Sequence, residues 1–406
     1  MRINNRTLLL ELAQQAIAAV RGKERVRAEV VQLSDWPALD VLAIGKAASS
    51  MLEGACEGFG DRLRRALLIS RADHIVSSWH ADSRVEVLSA GHPIPTKDSL
   101  VAGKRLLDWL QTSTDPLLVL LSGGTSSLVE VPAAGVTLEK LQQMNHWLLG
   151  SGLDIQQINA IRKRLSRIKG GQLIDYLGER PTRVWMISDV RGDDPAVIGS
   201  GLLYPDDTDS MQIVGLPGEL QVILDNIPVV ARSSGGVPEH RVLANLHTAC
   251  TALVGVAREQ GLPVQVHELE LDGDAAETGR QLAEALEHAS PGLHLWGGET
   301  TVQLPAQPGR GGRNQQLALA AATVLAGKPD YYLLALGTDG SDGPTEDAGA
   351  LVDGGSIARG ELAGLDADAS LRAADAGVFL EAGGDLVSTG PTGTNVRDIV
   401  VALKTG

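Results

Sequence analysis

Short apolar runs alternate with longer segments of helical periodicity through the first half of the chain. Five runs are mostly apolar and end in loop residues, as buried strands do, and they cover 38–45, 65–70, 84–91, 116–124 and 182–190. Between these runs, apolar residues three and four positions apart predict helices over 46–59, 97–111, 137–152 and 172–179. This alternation predicts an α/β domain with a doubly wound parallel sheet.

The second half of the chain is also α/β, with different loops. Helical periodicity covers 241–261, 273–289 and 313–327, and strand-like runs cover 293–299 and 331–340. A chain of 406 residues is longer than one hydrophobic core usually supports, so two domains are expected. We predict domains over 1–235 and 236–406, with a boundary that could lie anywhere between 225 and 290.

Composition and charge narrow the range of partners. The net charge of −15 argues against nucleic acid, because binding to a phosphate backbone needs a basic surface. No apolar stretch approaches the roughly 20 residues of a membrane span, so no membrane association is expected. Two cysteines, Cys56 and Cys250, make no disulfide framework, which favours a cytoplasmic location. A homodimer is possible.

One candidate site lies where apolar run 117–121 ends in SGGTSS. Ligands bind at the carboxyl edge of an open parallel sheet, and glycine lets the backbone approach an anion there. The following residues offer hydroxyls and helix N-terminal amides. An ordinary strand-to-helix cap is an equally good interpretation. The candidate ligand-binding residues are Ser122, Gly123, Gly124, Thr125 and Ser126.

The turn AIGKAA, at 43–48, is a second candidate for anion binding. Gly45 and Lys46 stand where a strand becomes a helix, so amide donors and one ammonium come together. The turn has neither the P-loop nor the G-x-G-x-x-G spacing. A solvated lysine is the alternative.

A basic run interrupts this acidic chain over 162–169. At helical spacing Arg162 and Lys169 would share a face, opposite an apolar stripe. Either the run is a solvated helix face, or it binds an anion. On the second interpretation we assign Arg162 to the substrate and Lys169 to the nucleotide.

Carboxylates follow two of the predicted strands. Asp189 comes after 183–188 and Asp339 after 331–336. Mg²⁺ takes one or two carboxylates together with phosphate oxygens and water, so both are candidate metal ligands. In GRGGRNQQ, Arg313 and Asn314 stand at a helix start, where a cation opposes the helix dipole unless an anion is bound there.

Eight stretches resemble, in order, the glycerate 2-kinase family that carries a C-terminal MOFRL domain. They are AIGKAA, SGGTSSL, INAIRKRLSRIKGGQL, ISDVRGDDPAVIGSG, GGETT, GGRNQQLALA, GTDGSDGPTEDAGA and GPTGTNVRDIVVAL. The resemblance implies a Rossmann-like domain and a smaller α/β MOFRL domain, with an active site in the cleft between them. It also implies phosphoryl transfer from ATP, with Mg²⁺, to D-glycerate, giving 2-phosphoglycerate.

The resemblance also implies residue roles. The family's essential lysine falls on Lys46 and its essential arginine on Arg313, which would be catalytic and contact substrate. Asp189 would bind metal or act as the base. Asn314, beside Arg313, would contact substrate.

Two rival functions are open at this point. Relatives in this family often carry the name hydroxypyruvate reductase, but an NAD(P)H enzyme needs a dinucleotide fingerprint, and 45–50 lacks its second glycine. A non-catalytic sensor of a small organic acid would bind glycerate without turnover.

Overall fold

The computed structural model describes residues 4–205, 215–227, 235–267 and 269–406. The chain forms two compact units. One unit is Arg21–Leu243, and the other joins Met1–Val20 to Ala244–Gly406. The division falls between Leu243 and Ala244, and the first 20 residues belong with the C-terminal unit and not with the residues that directly follow them.

The first helix, α1 (Asn5–Ala19), explains this arrangement. Its N-cap is Asn4, whose side chain accepts a hydrogen bond from the amide of Arg6. Its apolar side chains are buried against the helix Leu246–Glu259 and the strand Asp398–Lys404. Arg6 also pairs with Asp385, at 2.9 Å. An amphipathic helix belongs to the core that buries its apolar face, and here that core is formed by the end of the chain.

The unit Arg21–Leu243 contains a six-stranded sheet, and the apolar runs predict its first five strands. Its strands are β1 (Leu39–Ile44), β2 (Leu63–Ser70), β3 (Val85–Ser89), β4 (Leu117–Leu121), β5 (Thr182–Ile187) and β6 (Glu239–Ala244). Their order is β3-β2-β1-β4-β5-β6, and the first five pair in parallel. This is the doubly wound order whose direction reverses between β1 and β4, and ligands bind in the crevice at that switch point.

Seven α-helices of this unit lie in the described ranges. They are α2 (Gly22–Glu29), α3 (Ala48–Phe59), α4 (Lys97–Leu110), α5 (Thr125–Leu128), α6 (Leu138–Gly150), α7 (Ile155–Arg164) and α8 (Gly218–Asp225). The helix predicted over 172–179 is instead a short 3₁₀ segment, Gln172–Tyr176. The predicted start of the helix over 241–261 is also wrong, because residues up to 244 complete β6. Short apolar runs such as 242–244 fit the helical and the strand period equally well.

The other unit has a mixed sheet. Its strands are β7 (Val264–Val266), β8 (Gly292–Gly298), β9 (Tyr331–Gly337), β10 (Gly349–Asp353), β11 (Leu386–Val387) and β12 (Asp398–Lys404), in the order β11-β10-β9-β12-β8-β7. Only β7 and β8 pair in parallel. The helices of this unit after α1 are α9 (Leu246–Glu259), α10 (Ala275–His288), α11 (Arg313–Leu325), α12 (Ser356–Leu362), α13 (Ala367–Arg372) and α14 (Ala376–Gly383).

The position of β12 decides which loops meet in this second sheet. It runs antiparallel between β8 and β9, and Asp398 is in register with both Gly298 and Gly337. The carboxyl ends of β8 and β9 therefore lie beside the amino end of β12. The loops that follow β8 and β9 bring the chain's second set of candidate residues to this edge. No helix in the described ranges combines the length and hydropathy that crossing a membrane requires.

Candidate active site

A cavity of about 230 Å³ lies at the switch point of the parallel sheet. Six of its lining residues are among those singled out from the sequence, and these are Gly123, Gly124, Thr125, Ser126, Arg162 and Asp189. They come from the loop after β4, from α7 and from the segment after β5. The cavity also has lining residues that the sequence did not single out, among them His92, Asn145 and Asn159.

Two hydroxyls of SGGTSS, those of Ser122 and Thr125, make hydrogen bonds to the backbone of the loops after β1 and β4. Ser122 Oγ accepts a hydrogen bond from the amide of Ala47, at 3.0 Å. Thr125 Oγ1 donates to the carbonyls of Ser122 and Ile44, at 2.7 and 3.1 Å. Both side chains are fully buried. These two hydroxyls join the loops after β1 and β4, which leaves the first amides of α5 as donors for a ligand.

The same two loops require glycine at two positions. Gly45 has φ +123°, and a Cβ there would lie 2.2 Å from Ser122 Oγ. Gly124 has φ +87°, and a Cβ there would lie 3.1 Å from His92 Cδ2 and 3.4 Å from Lys46 Cγ. The aliphatic part of Lys46 therefore lies against Gly124, and the backbone amide of Lys46 donates to Gly123 O at 2.9 Å. Lys46 thus stands beside the cavity loop, half-buried.

A short relay of side chains crosses the cavity wall. Ser200 Oγ donates to Asn159 Oδ1 at 2.9 Å, and it lies 2.6 Å from Ser126 Oγ. Because Ser200 donates its only hydroxyl proton to Asn159, Ser126 Oγ must be the donor in the bond to Ser200 Oγ. Asn159 Nδ2 is buried without a hydrogen-bond partner. Asn159 was missed because it reads as an ordinary polar helix residue, although it stands three positions before Arg162.

Two cations of the basic run have different environments. Arg162 lines the cavity, and within the described part of the chain it makes no hydrogen bond or ion pair. Burial lowers the pKa of Arg162, and the charge of Glu130 opposes that effect. Lys169 is only 1% exposed, and its ammonium pairs with the Glu130 carboxylate, which also accepts from Ser166 Oγ at 2.5 Å.

The assignment of Lys169 to nucleotide binding therefore needs correction. Helix α7 ends at Arg164, so Lys169 does not share a helical face with Arg162. Burial lowers the pKa of Lys169, and Glu130 raises it. A buried ammonium is retained when a carboxylate pairs with it, and Glu130 fills that role here. Lys169 is accordingly a structural residue behind the cavity.

The second candidate cluster surrounds Arg313, the first residue of α11. Its Nε and Nη2 donate to Asp398 Oδ2 and Oδ1, at 2.5 and 3.0 Å. Its Nη1 donates to Glu299 Oε1 at 2.5 Å. Burial alone would lower the pKa of Arg313, but Asp398, Glu299 and Asp342 together raise it above its usual range. The chain itself thus supplies anions beside the cation that opposes the dipole of α11.

Asp342 holds the beginning of α11. Its Oδ1 accepts from the Asn314 amide at 3.0 Å, and its Oδ2 accepts from the Gln315 amide at 2.8 Å. Asn314 Nδ2 also donates to Asp342, at 3.3 Å. Asn314, predicted to contact substrate, is therefore buried in the cap of α11. Burial raises the pKa of Asp342 to about 7, with the two amides opposing that rise and Asp398 adding to it.

This raised pKa predicts a pH-dependent stability. Folded Asp342 binds its proton more tightly than an unfolded aspartate, whose pKa is about 3.9. Its contribution to folding is therefore complete below about pH 4 and is lost as pH rises through about 7. We expect Asp342→Asn to flatten the decrease in the free energy of unfolding between pH 5 and pH 8, measured by urea denaturation. Asp368→Asn, at an exposed site of α13, is the control, and an unchanged slope in Asp342→Asn would contradict the prediction.

Asp339 lies at the same edge of the second sheet. Its Oδ1 accepts from both the amide and the hydroxyl of Ser341, each at 3.0 Å. Within the described part of the chain, no three His, Cys, Asp or Glu side chains are placed to hold a metal ion together. A metal role for Asp339 stays a prediction.

Comparison with known proteins gives matches along the chain. Two family models match, a domain of unknown function (DUF4147) over residues 8–228 and the MOFRL family over residues 292–398. A D-glycerate 2-kinase from Thermotoga maritima is 33% identical, over 98% of this chain and 97% of that protein. A putative hydroxypyruvate reductase from Agrobacterium vitis is 36% identical, over 89% of this chain and 86% of that protein. A crystal structure of glycerate kinase from Thermotoga maritima matches with a TM-score of 0.83 and 31% identity, covering 98% and 99% of the two chains.

Proposed function

The chain belongs to the glycerate kinase family and phosphorylates glycerate, and we propose that it transfers a phosphoryl group from ATP, with Mg²⁺, to the 2-hydroxyl of D-glycerate. The kinase relatives and the structural match support the class of reaction. The single observation that carries the site is the cavity at the switch point, where the Gly124 loop, Lys46 beside it and Arg162 come together. Location in the cytoplasm is part of the proposal.

The residues around Gly124 fit a phosphate group. Gly124 has no side chain that would cover the backbone here, and the aliphatic part of the Lys46 side chain lies against it. Thr125 and Ser126 line the cavity and begin α5, so their amides are among those without a partner inside the helix. We assign Lys46 and these amides to the charge of the transferring phosphoryl group.

The cavity also contains a carboxylate suited to the acceptor hydroxyl or to Mg²⁺. Asp189 lines the cavity directly after β5. Mg²⁺ is usually held by one or two carboxylates and substrate phosphates, so a single aspartate is sufficient here. When bound, Mg²⁺ and the nucleotide supply the phosphoryl group and neutralise its charge. Asp189 is proposed to orient the acceptor hydroxyl and accept its proton.

Phosphoryl transfer depends on positioning and charge stabilisation more than on covalent chemistry. The fold supports both requirements through rigid contacts. Buried Ser122 and Thr125 fix the loop that carries Gly124, and Lys46 is attached to that loop through its own amide. Such a preorganised group of donors does not have to reorient when charge develops.

The reductase alternative conflicts with the first turn of the parallel sheet. A dinucleotide fingerprint needs a glycine and a free amide where the pyrophosphate approaches the backbone. In this chain Ala47 occupies the turn, is fully buried, and gives its amide to Ser122 Oγ. The strand order is shared with dinucleotide enzymes, but a shared fold does not establish a shared activity.

One assay separates the kinase from its rivals. The protein is incubated with D-glycerate, ATP and MgCl₂, and the product is identified by NMR. A parallel reaction contains hydroxypyruvate and NADH. We expect 2-phosphoglycerate and no oxidation of NADH. Formation of 3-phosphoglycerate would contradict the proposed hydroxyl, and NADH oxidation without phosphorylation would contradict the kinase. Glycerate binding in calorimetry without turnover would indicate the sensor.

A further inference from the structure

We propose that Asn159 and Arg162 form the receptor for the carboxylate of the acceptor, and that they select hydroxy acids over uncharged polyols. The inference rests on the proposed function for the identity of the acceptor. It concerns one end of that molecule, the end that does not react. The evidence is two donors on one face of α7, both at the wall of the cavity.

The first donor is a buried amide without an acceptor. Asn159 is 2% exposed, and its Nδ2 has no hydrogen-bond partner. Leaving a buried donor unsatisfied costs about 1–3 kcal/mol, so such a group calls for an explanation. Asn159 cannot rotate freely to find another partner, because its Oδ1 is held by Ser200, which Ser126 holds in turn. The relay therefore keeps the oxygen of the amide toward Ser200 and leaves the nitrogen for a ligand.

The second donor is a cation without a carboxylate of its own. Arg162 makes no hydrogen bond or ion pair within the described part of the chain, whereas neighbouring Lys169 is paired with Glu130. Arg162 and Asn159 are three positions apart on α7, so they lie on the same face of the helix. An arginine fork binds a carboxylate through two parallel bonds, and an adjacent amide NH₂ can complete its coordination.

The size and lining of the cavity fit a small hydroxy acid at this position. Asp189 lines the same cavity as Arg162. The same aspartate can accept a hydrogen bond from an acceptor hydroxyl. At about 230 Å³ the cavity is also smaller than the roughly 300–1,000 Å³ that drug-sized ligands occupy. A small hydroxy acid, with its carboxylate on Arg162 and its hydroxyl toward Asp189, matches this lining.

The test measures whether the variants lose affinity for D-glycerate or for ATP. In Arg162→Gln we expect KM for D-glycerate to rise about 10- to 100-fold, because a hydrogen bond to a charged group is lost. KM for ATP should stay unchanged. Asn159→Asp preserves the shape of the side chain and its bond to Ser200, but places an anion beside the carboxylate and should raise KM for glycerate similarly. Arg162→Lys preserves the charge without the fork and should restore part of the affinity.

Glycerol provides the sharper measurement, since it has hydroxyls but no carboxylate. The ratio of kcat/KM for glycerate to kcat/KM for glycerol should fall about 10- to 100-fold in Arg162→Gln, and a purely structural defect would leave this ratio unchanged. Arg167→Gln removes a cation from the exposed part of the same basic run and should behave as the wild type. Thermal unfolding of each variant confirms that it is folded.

The outcomes are distinct. A rise in KM for ATP, with KM for glycerate unchanged, would overturn the proposal and assign the pair to the nucleotide. An unchanged glycerate-to-glycerol ratio in both variants would also overturn it. If the wild type fails to phosphorylate glycerate, the proposed function fails, and calorimetric binding of D-glycerate tests the receptor alone. Binding to the wild type that is lost in both variants would then support the receptor, and binding unaffected by them would contradict it.

Discussion

Replacing Lys46 by alanine will lower kcat for glycerate phosphorylation by about 10²–10³, the effect of removing one preorganised donor from developing negative charge. The side chain lies against Gly124 beside the cavity, and we assign its ammonium to the transferring phosphoryl group. The hydrogen bonds that Lys46 makes through its backbone amide and carbonyl do not involve its side chain, and we expect the variant to fold. Steady-state kinetics measure kcat, and urea denaturation measures whether the variant is folded.

Two further variants test whether the effect depends on the shape of the Lys46 side chain and whether it is specific to this lysine. Lys46→Arg preserves the charge but changes its shape and should recover only part of the activity. Lys104→Ala removes an exposed lysine from α4 and should leave both kinetics and stability unchanged. Near-normal turnover in Lys46→Ala would show that the lysine has no role in the reaction.

Replacing Arg313 by methionine will have the largest combined effect, lowering both activity and stability. Asp398 is buried, and Arg313 makes two hydrogen bonds to it. Removing one partner of a buried ion pair costs about 3–5 kcal/mol, because a buried charge is left uncompensated. Burial already raises the pKa of Asp398, so the stability loss should be smaller at low pH, where protonation removes the uncompensated charge. Urea denaturation at pH 5 and pH 8 measures it.

The double variant Arg313→Met with Asp398→Asn separates stability from catalysis. It removes the uncompensated charge together with its partner, so most of the lost stability should return. Turnover should remain about 10²–10³ below the wild type if Arg313 acts in the reaction. Recovery of turnover together with stability would show that Arg313 only holds the fold around α11.

Most of the parallel sheet was predictable from the sequence because its strands are buried on both faces. β4 is an unbroken apolar run and β1 is interrupted only by Asp40, and each is followed by a loop with candidate site residues. The strand β10 was missed because Gly349–Asp353 is short and follows a loop of turn-forming residues. The place of α1 was unpredictable, because an amphipathic helix indicates a buried face without indicating its partner.

The sequence indicated candidate site residues by their chemistry, but it did not indicate which carboxylates pair with its cations. Lysines in a basic run look alike in sequence, yet Lys169 is neutralised by Glu130, which lies 39 positions away. Arg313 was expected to meet an external anion, and the anions beside it are Asp398 and Glu299. Such pairings depend on which strands become neighbours, and a single sequence does not encode this locally.

Arg397 shows the same limit, because the partner of its side chain is also far away in the sequence. Its backbone has φ +74°, a conformation that L-residues rarely adopt. Its guanidinium makes two bonds to Glu270, at 2.6 and 3.1 Å, so the side chain is used inside its own unit. The strained backbone immediately precedes Asp398, which binds Arg313. The structure therefore connects Arg397 to the positioning of that aspartate.

The placement of α1 has a consequence for synthesis of the protein on the ribosome. Helix α1 packs against β12, which is made much later, because Lys404 lies 385 positions after Ala19. At about 5–20 residues per second, the apolar face of α1 waits about 20–80 s for its partner. The segment Arg21–Leu243 is complete well before then. That unit can therefore fold while α1 still waits for β12.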